Sequence, residues 1–112
     1  MTSILTSIKK QLGVNEDYTH FDTDIIIHIN STLLTLKQLG VDSNNDFIII
    51  DSTQTWSDYI GDRKDLESIK TYIYLKVKLI FDPPTNSFTI DALERYIREL
   101  EWRINNYMEG GK

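Results

Sequence analysis

Residues 66–81 carry two apolar stripes on one helical period. Leu66, Ile69, Ile73, Val77 and Ile80 recur at three- and four-residue steps, and Tyr72, Leu75 and Leu79 form a second series on the far side. Asp82-Pro83-Pro84 ends the run, because a residue before proline is pushed out of the α region. The spacing predicts a helix from about Asp62 to Phe81. Such a helix has to cover both sides. It either runs through the middle of a helical bundle or lays its second face against another subunit.

The rest of the chain supplies helices to surround it. Ile4, Ile8 and Leu12 ahead of Gly13 predict a short helix over residues 3–12 with a glycine stop. A second helix is predicted from Asp22, whose carboxylate can cap it, to Gly40. Ile25, Ile26, Ile29, Leu33 and Leu36 make its stripe, while Ile27 and Leu34 fall nearly opposite, so this helix too is apolar on more than one face. A last helix begins around Ser87 to Thr89 and runs to about Met108, with Ile90, Leu93, Ile97, Leu100, Ile104 and Met108 in one stripe. Glu94 with Arg98 and Glu99 with Arg103 are i,i+4 pairs in the favourable order.

Between the second and third helices the pattern breaks. Asp42-Ser43-Asn44-Asn45-Asp46 is turn chemistry, and Phe47-Ile48-Ile49-Ile50 is an apolar run of strand length. A lone strand cannot satisfy its own backbone groups and needs a partner from elsewhere. Thr55 followed by Asp58 reads as a capping box opening a short turn through Trp56, Tyr59 and Ile60. The expectation is an all-α fold, a compact bundle of about four helices with a central loop and short-strand excursion, forming one domain over residues 1–112. Whether the surplus apolar faces are filled within one chain or between chains stays open at this level.

Composition narrows the function classes. Hydrophobic residues at 40% and charged residues at 26% suit a folded domain rather than a disordered one. There is no cysteine, which removes disulfides, thiolate catalysis and cysteine metal sites. No apolar run is long enough to span a bilayer, and Met1-Thr2-Ser3-Ile4-Leu5 lacks the form of a signal peptide. The expectation is a protein with no membrane association, made and used inside a cell unless it leaves as part of a particle. A net charge of −5 argues against a nucleic-acid reader, whose affinity rests on phosphate neutralisation. The nearest basic clusters are Lys9-Lys10 and the set Lys70, Lys76 and Lys78.

Candidates for chemistry each have a plainer reading. His20 and His28 lack the spacing of a ligand pair, and a surface or structural role accounts for both. Asp42 to Asp46 superficially suggests a calcium loop but has Phe47 where glycine is required and Thr53 where glutamate is required. Asp22 with Asp24, and Asp58, Asp62 and Asp65, sit at predicted helix starts, where carboxylates are favoured without catalysis. No nucleophile set or phosphate loop is present in the pattern. The expectation is no enzyme, no metal and no cofactor. Trp56 reads as a core anchor. Trp102 lies off the apolar stripe, on a face shared with Arg95, Arg98 and Asn106, and either lies across arginine stems or meets another chain.

Taken in order, these segments resemble a known family. The residues that carry the likeness are Asp24-Ile25-Ile26-Ile27-His28-Ile29-Asn30, Thr55-Trp56-Ser57-Asp58-Tyr59, the helix closed by Phe81-Asp82-Pro83-Pro84, and Glu99-Leu100-Glu101-Trp102-Arg103. Together they are similar to the small head–tail connector (adaptor) proteins of tailed bacteriophages, over nearly the whole chain. The resemblance implies a structural virion protein, made in the host bacterial cytoplasm and used at the head–tail junction. It implies a homo-oligomeric ring of about twelve subunits, possible through heterologous contacts, with the isolated subunit a monomer. The ring docks under the portal protein, meets the head-closure (stopper) or tail protein, and extends a channel through which DNA passes without sequence-specific binding. It also implies flexible contact segments, here the loop of about 41–54 and the C-terminal tail of about 105–112. The partner-facing residues expected on this reading are Phe47, Ile48, Ile49, Ile50, Tyr72, Leu75, Leu79, Trp102, Asn106, Tyr107 and Met108. The competing reading is a DNA-associated helical packaging or regulatory protein, which requires a basic helix face.

Overall fold

A computed structural model describes residues 3–41, 47–61 and 65–110, with side chains to residue 106. Five helices lie among them: α1 (Ile4–Leu12), α2 (Asp22–Gln38), α3 (Trp56–Ile60), α4 (Leu66–Phe81) and α5 (Ser87–Gly110). They form an all-α bundle, a slab 19 Å in its thinnest dimension. The expected start of the third helix at Asp62 lies outside the described residues.

The position of α4 follows from its two stripes. It packs chiefly between α2 and α5, with α1 against it as well. Ile69, Ile73 and Val77 of the first stripe are buried, and so are Tyr72 and Leu75 of the second. Leu79 is half-buried, and Ile80 emerges at the helix end, 58% exposed. The second face is therefore filled inside the chain. α5 buries Ile97, Leu100 and Ile104 of its single stripe, with Ile90 and Leu93 half-buried. The Tyr72 hydroxyl ties the two helices by donating to Glu101 Oε2 at 2.8 Å. Burial and that carboxylate together push the Tyr72 hydroxyl well above the ordinary tyrosine value.

Local signals account for most helix ends. Ser3 caps α1 by accepting from the Thr6 amide at 3.2 Å. Gly13 ends it at φ 82°, a left-handed conformation that glycine adopts without steric cost, and its amide donates to Lys10. The capping box of α3 forms as its spacing predicts: the Asp58 amide donates to Thr55 Oγ1 at 3.1 Å, and the Thr55 amide donates to Asp58 Oδ2 at 2.9 Å. Asp22 behaves differently from expectation. Phe21 holds the cap position of α2 with no side-chain cap, and the Asp22 carboxylate instead lies 2.8 Å from Lys9 Nζ. Its charge satisfies a buried cation rather than the helix end.

The expected strand is the second correction. Phe47 to Ile50 form no strand, and the only bridge among the described residues joins Ser3 to Thr55. The backbone groups that needed a partner find one in a side chain. The Ile49 amide donates to Asn30 Oδ1 at 2.8 Å, and Asn30 Nδ2 donates to the Ile49 carbonyl at 3.0 Å. One carboxamide from α2 thus serves as a neighbouring strand would, and Ile49 is buried. The following turn is held by Gln54 Oε1, which accepts from the Ile50 and Asp51 amides at 2.7 and 3.0 Å. Asp51 Oδ1 accepts from the Thr53 amide and hydroxyl, and these bonds hold the Asp51 carboxyl below its ordinary value. The Ile4 amide then donates to the Gln54 carbonyl at 3.0 Å, tying the loop's end to α1.

Candidate interaction surfaces

Apart from Tyr18, Phe21 and Ile80, the large exposed apolar side chains lie on two surfaces among the described residues. The first combines α2 with the segment after residue 46. Ile27 and Leu34, seven residues apart on α2, are 57% and 58% exposed, and Ile48 and Ile50 are 56% and 67% exposed beside them. Ile27 and Leu34 follow directly from the packing: Ile25, Ile29, Leu33 and Leu36 turn inward, which leaves the opposite side of α2 for solvent. A groove of about 160 Å³ lies in this surface, lined by Leu33, Leu34, Lys37, Phe47, Ile48 and Tyr59 with Asn30. Phe47 is fixed by stacking on Tyr59, with ring centroids 5.2 Å apart.

The second surface is the outer face of α5. Phe88, Tyr96 and Trp102 are 76%, 41% and 68% exposed. Trp102 borders a shallow hollow of about 520 Å³ with Leu39, Arg98, Glu101, Asn105 and Asn106. Among the described residues no cation stacks on its ring. Arg103 pairs instead with Glu99, as the spacing predicts, while Glu94 and Arg98 form no ion pair among the described residues.

The expected partner-facing residues divide between these surfaces and the interior. Ile48, Ile50, Trp102 and Asn106 are exposed, and Phe47 and Leu79 are half-buried. Ile49, Tyr72 and Leu75 are core residues of the chain, because Asn30 draws Ile49 inward and α5 covers α4. The side chains of Tyr107 and Met108 lie outside the described residues. Ile27 and Leu34 belong to the exposed apolar surface although the sequence reading did not include them among partner-facing residues. Their place opposite the main stripe was the available signal.

The polar residues reveal what spacing alone missed. Lys9 is 2% exposed, and its ammonium donates to the carbonyls of Glu16 and Tyr18 at 3.0 and 2.9 Å while pairing with Asp22. It staples the α1–α2 connection and is unavailable to a ligand. The signal in the sequence was its place four residues after Leu5, on the edge of an inward face. The other lysine set is also engaged. Lys70 lies 5.4 Å from the Trp56 ring centroid and 3.6 Å from Glu67, Lys76 lies over Tyr72, and Lys78 pairs with Asp82 at 3.7 Å. These contacts leave Lys10 as the one lysine of the two clusters that is exposed and unengaged among the described residues, where duplex binding draws on many cations. Trp56 is a core anchor, its indole N–H donating to Ser7 Oγ at 3.1 Å.

The acidic residues considered for chemistry have structural positions. Asp22 pairs with Lys9, Asp58 completes the capping box and Asp65 stands at the start of α4 without a side-chain capping bond. Asp62 and the Asp42–Asp46 turn lie outside the described residues. His20 is exposed, its ring 5.0 Å from Phe21. Among the described residues no three histidines or acids gather as a metal site, and no helix is long and apolar enough to cross a membrane.

Comparison with known proteins gives one finding. A family model described as phage connector protein matches residues 4–111. No curated protein and no solved structure matches the chain.

Proposed function

The chain belongs to the phage connector protein family, and from that premise we propose that it forms a homo-oligomeric ring under the portal of a tailed phage. The family makes it a head–tail connector and a component of the virion. In the proposed role the ring links the capsid to head-closure or tail proteins and extends the DNA channel. The protein acts by assembly, without catalysis or cofactor. The whole chain works as one domain, with the loop of about 41–54 and the end of about 105–112 as contact segments.

The observation that carries this reading is the apolar surface of α2 and the adjoining loop. Ile27, Leu34, Ile48 and Ile50 together leave more large apolar side chain in solvent than a small domain gains from exposing, and such patches mark sites of protein association. Repeated around a ring, individually weak contacts add through multivalency. The net charge of −5 and the engaged lysines support a channel subunit that lets DNA pass without gripping it.

The test is the mass of the purified protein by multi-angle light scattering, alone and mixed with a portal ring of a tailed phage. Co-migration at a fixed multiple of subunits is expected. A protein that ignores portal rings and instead binds duplex DNA at low salt would overturn the proposal.

A further inference from the structure

The segment around Ile49 has one occupied edge and one open edge. Both backbone groups of Ile49 are held by the Asn30 carboxamide, so they point toward α2, and the Ile49 side chain is buried. Its neighbours alternate with it: the Ile48 and Ile50 side chains are both more than half exposed. This is the two-residue period of an extended chain, in which the backbone groups of residue 48 and the Ile50 N–H face the edge opposite that of residue 49; the chain turns after that N–H, where the Asp51 amide reaches the same Gln54 oxygen. On that outer edge the Ile48 N–H and the Ile48 carbonyl have no partner among the described residues. The Ile50 N–H is met by the side-chain carbonyl of Gln54, at 2.7 Å. That carbonyl stands where the backbone carbonyl of a paired strand would stand.

We propose that this outer edge is a strand-addition site for an extended segment of a different polypeptide with apolar residues at alternate positions, and that Gln54 is the placeholder the segment displaces. The occupant follows from what the edge offers. Its donors at residues 48 and 50 stand at strand spacing with the Ile48 carbonyl between them, a pattern that another extended backbone matches. The flanking side chains, Ile48 and Ile50, are apolar, and Phe47-Ile48-Ile49-Ile50 contains no charge or proline of the kind that blunts an unused edge. The choice of a different chain rests on the ring reading, because pairing this edge with its own copy closes a two-fold dimer while a ring needs heterologous contacts.

A blocked peptide of alternating valine and threonine, titrated into the full chain and followed by amide hydrogen exchange, tests the site. Slower exchange at Ile48 and Ile50 is expected, with no slowing by the same peptide N-methylated along its backbone. Ile48→Pro deletes an outer N–H that makes no internal bond. It is expected to keep the helical circular dichroism of the parent and to lose the peptide-induced protection at Ile50. Gln54→Leu is expected to bind the peptide several-fold more tightly. Equal protection by the N-methylated peptide, or unchanged binding by Ile48→Pro, overturns the proposal. So does protection of Ile48 that rises with protein concentration alone, which assigns the edge to a second copy. Co-migration with a portal ring by a protein whose edge ignores the peptide removes this inference and leaves the ring reading standing. Peptide protection without co-migration does the reverse.

Discussion

In α4 the second apolar stripe turns inward: Tyr72, bonded to α5, and Leu75 are buried, as are Ile69, Ile73 and Val77 of the first. In α2 the second stripe turns outward, leaving Ile27 and Leu34 more than half exposed although Ile25, Ile29, Leu33 and Leu36 are buried. The two helices have similar patterns and opposite outcomes because α4 has helices on both sides and α2 stands at the margin of the slab. Among the described residues the loop carrying Ile49 reaches over part of α2, anchored by Asn30. A double stripe therefore states how much surface must be covered and leaves open what covers it. Within this chain the inward stripe serves stability, and the outward one stays in solvent.

The strongest way to break that contrast is to truncate both sides. Ile73→Ala is expected to lower the unfolding free energy by about 2–5 kcal/mol, measured by urea denaturation, since it leaves a cavity in a core position. A value near zero would mean that α4 is not a core helix. Lys9→Met tests the polar staple beside it. Removing the ammonium from two carbonyls and Asp22 is expected to cost about 2 kcal/mol. Lys10→Met, its exposed neighbour, is expected to change stability by less than about 0.5 kcal/mol. Equal effects would show that the staple contributes nothing.

Tyr72→Phe sharpens the inward side. Losing the bond to Glu101 is expected to cost about 1 kcal/mol. The sign of its pH dependence is fixed: the folded-state value is raised, so the contribution is present below about pH 10, the unfolded tyrosine value, and declines as pH rises beyond it. Denaturation midpoints of the parent and the variant are therefore expected to converge above that pH, and a constant difference would contradict the assignment. Smallest in stability is Leu34→Ala, within about 0.5 kcal/mol of the parent. Its expected effect is weaker co-migration with the portal ring, and unchanged co-migration would take Leu34 out of the docking face.

Legibility in the sequence followed the range of the interaction. The glycine stop at Gly13, the Thr55–Asp58 capping box, the Pro83-Pro84 boundary and the stripe of α5 all involve residues within a turn of one another, and all are present as read. The strand at 47–50 was misread because β-branched, apolar composition says only that a segment suits extended backbone. Its partner was an asparagine nineteen residues earlier, inside a helix. Asn30 carried a faint signal, a residue of modest helix propensity placed within an apolar helix. Asp22 was misread for a related reason: a carboxylate at a helix start suits both a cap and an ion pair, and Lys9 decided between them.

The sequence by itself determined the all-α class, the positions of the principal helices, the core role of Trp56 and the family likeness, because helical period, capping and chain termination are encoded over short spans. Only the tertiary structure decided which of two similar stripes is core and which is surface, and which polar side chains close the connections. Those outcomes depend on neighbours brought from distant parts of the chain, and a local pattern carries no record of which neighbour arrives.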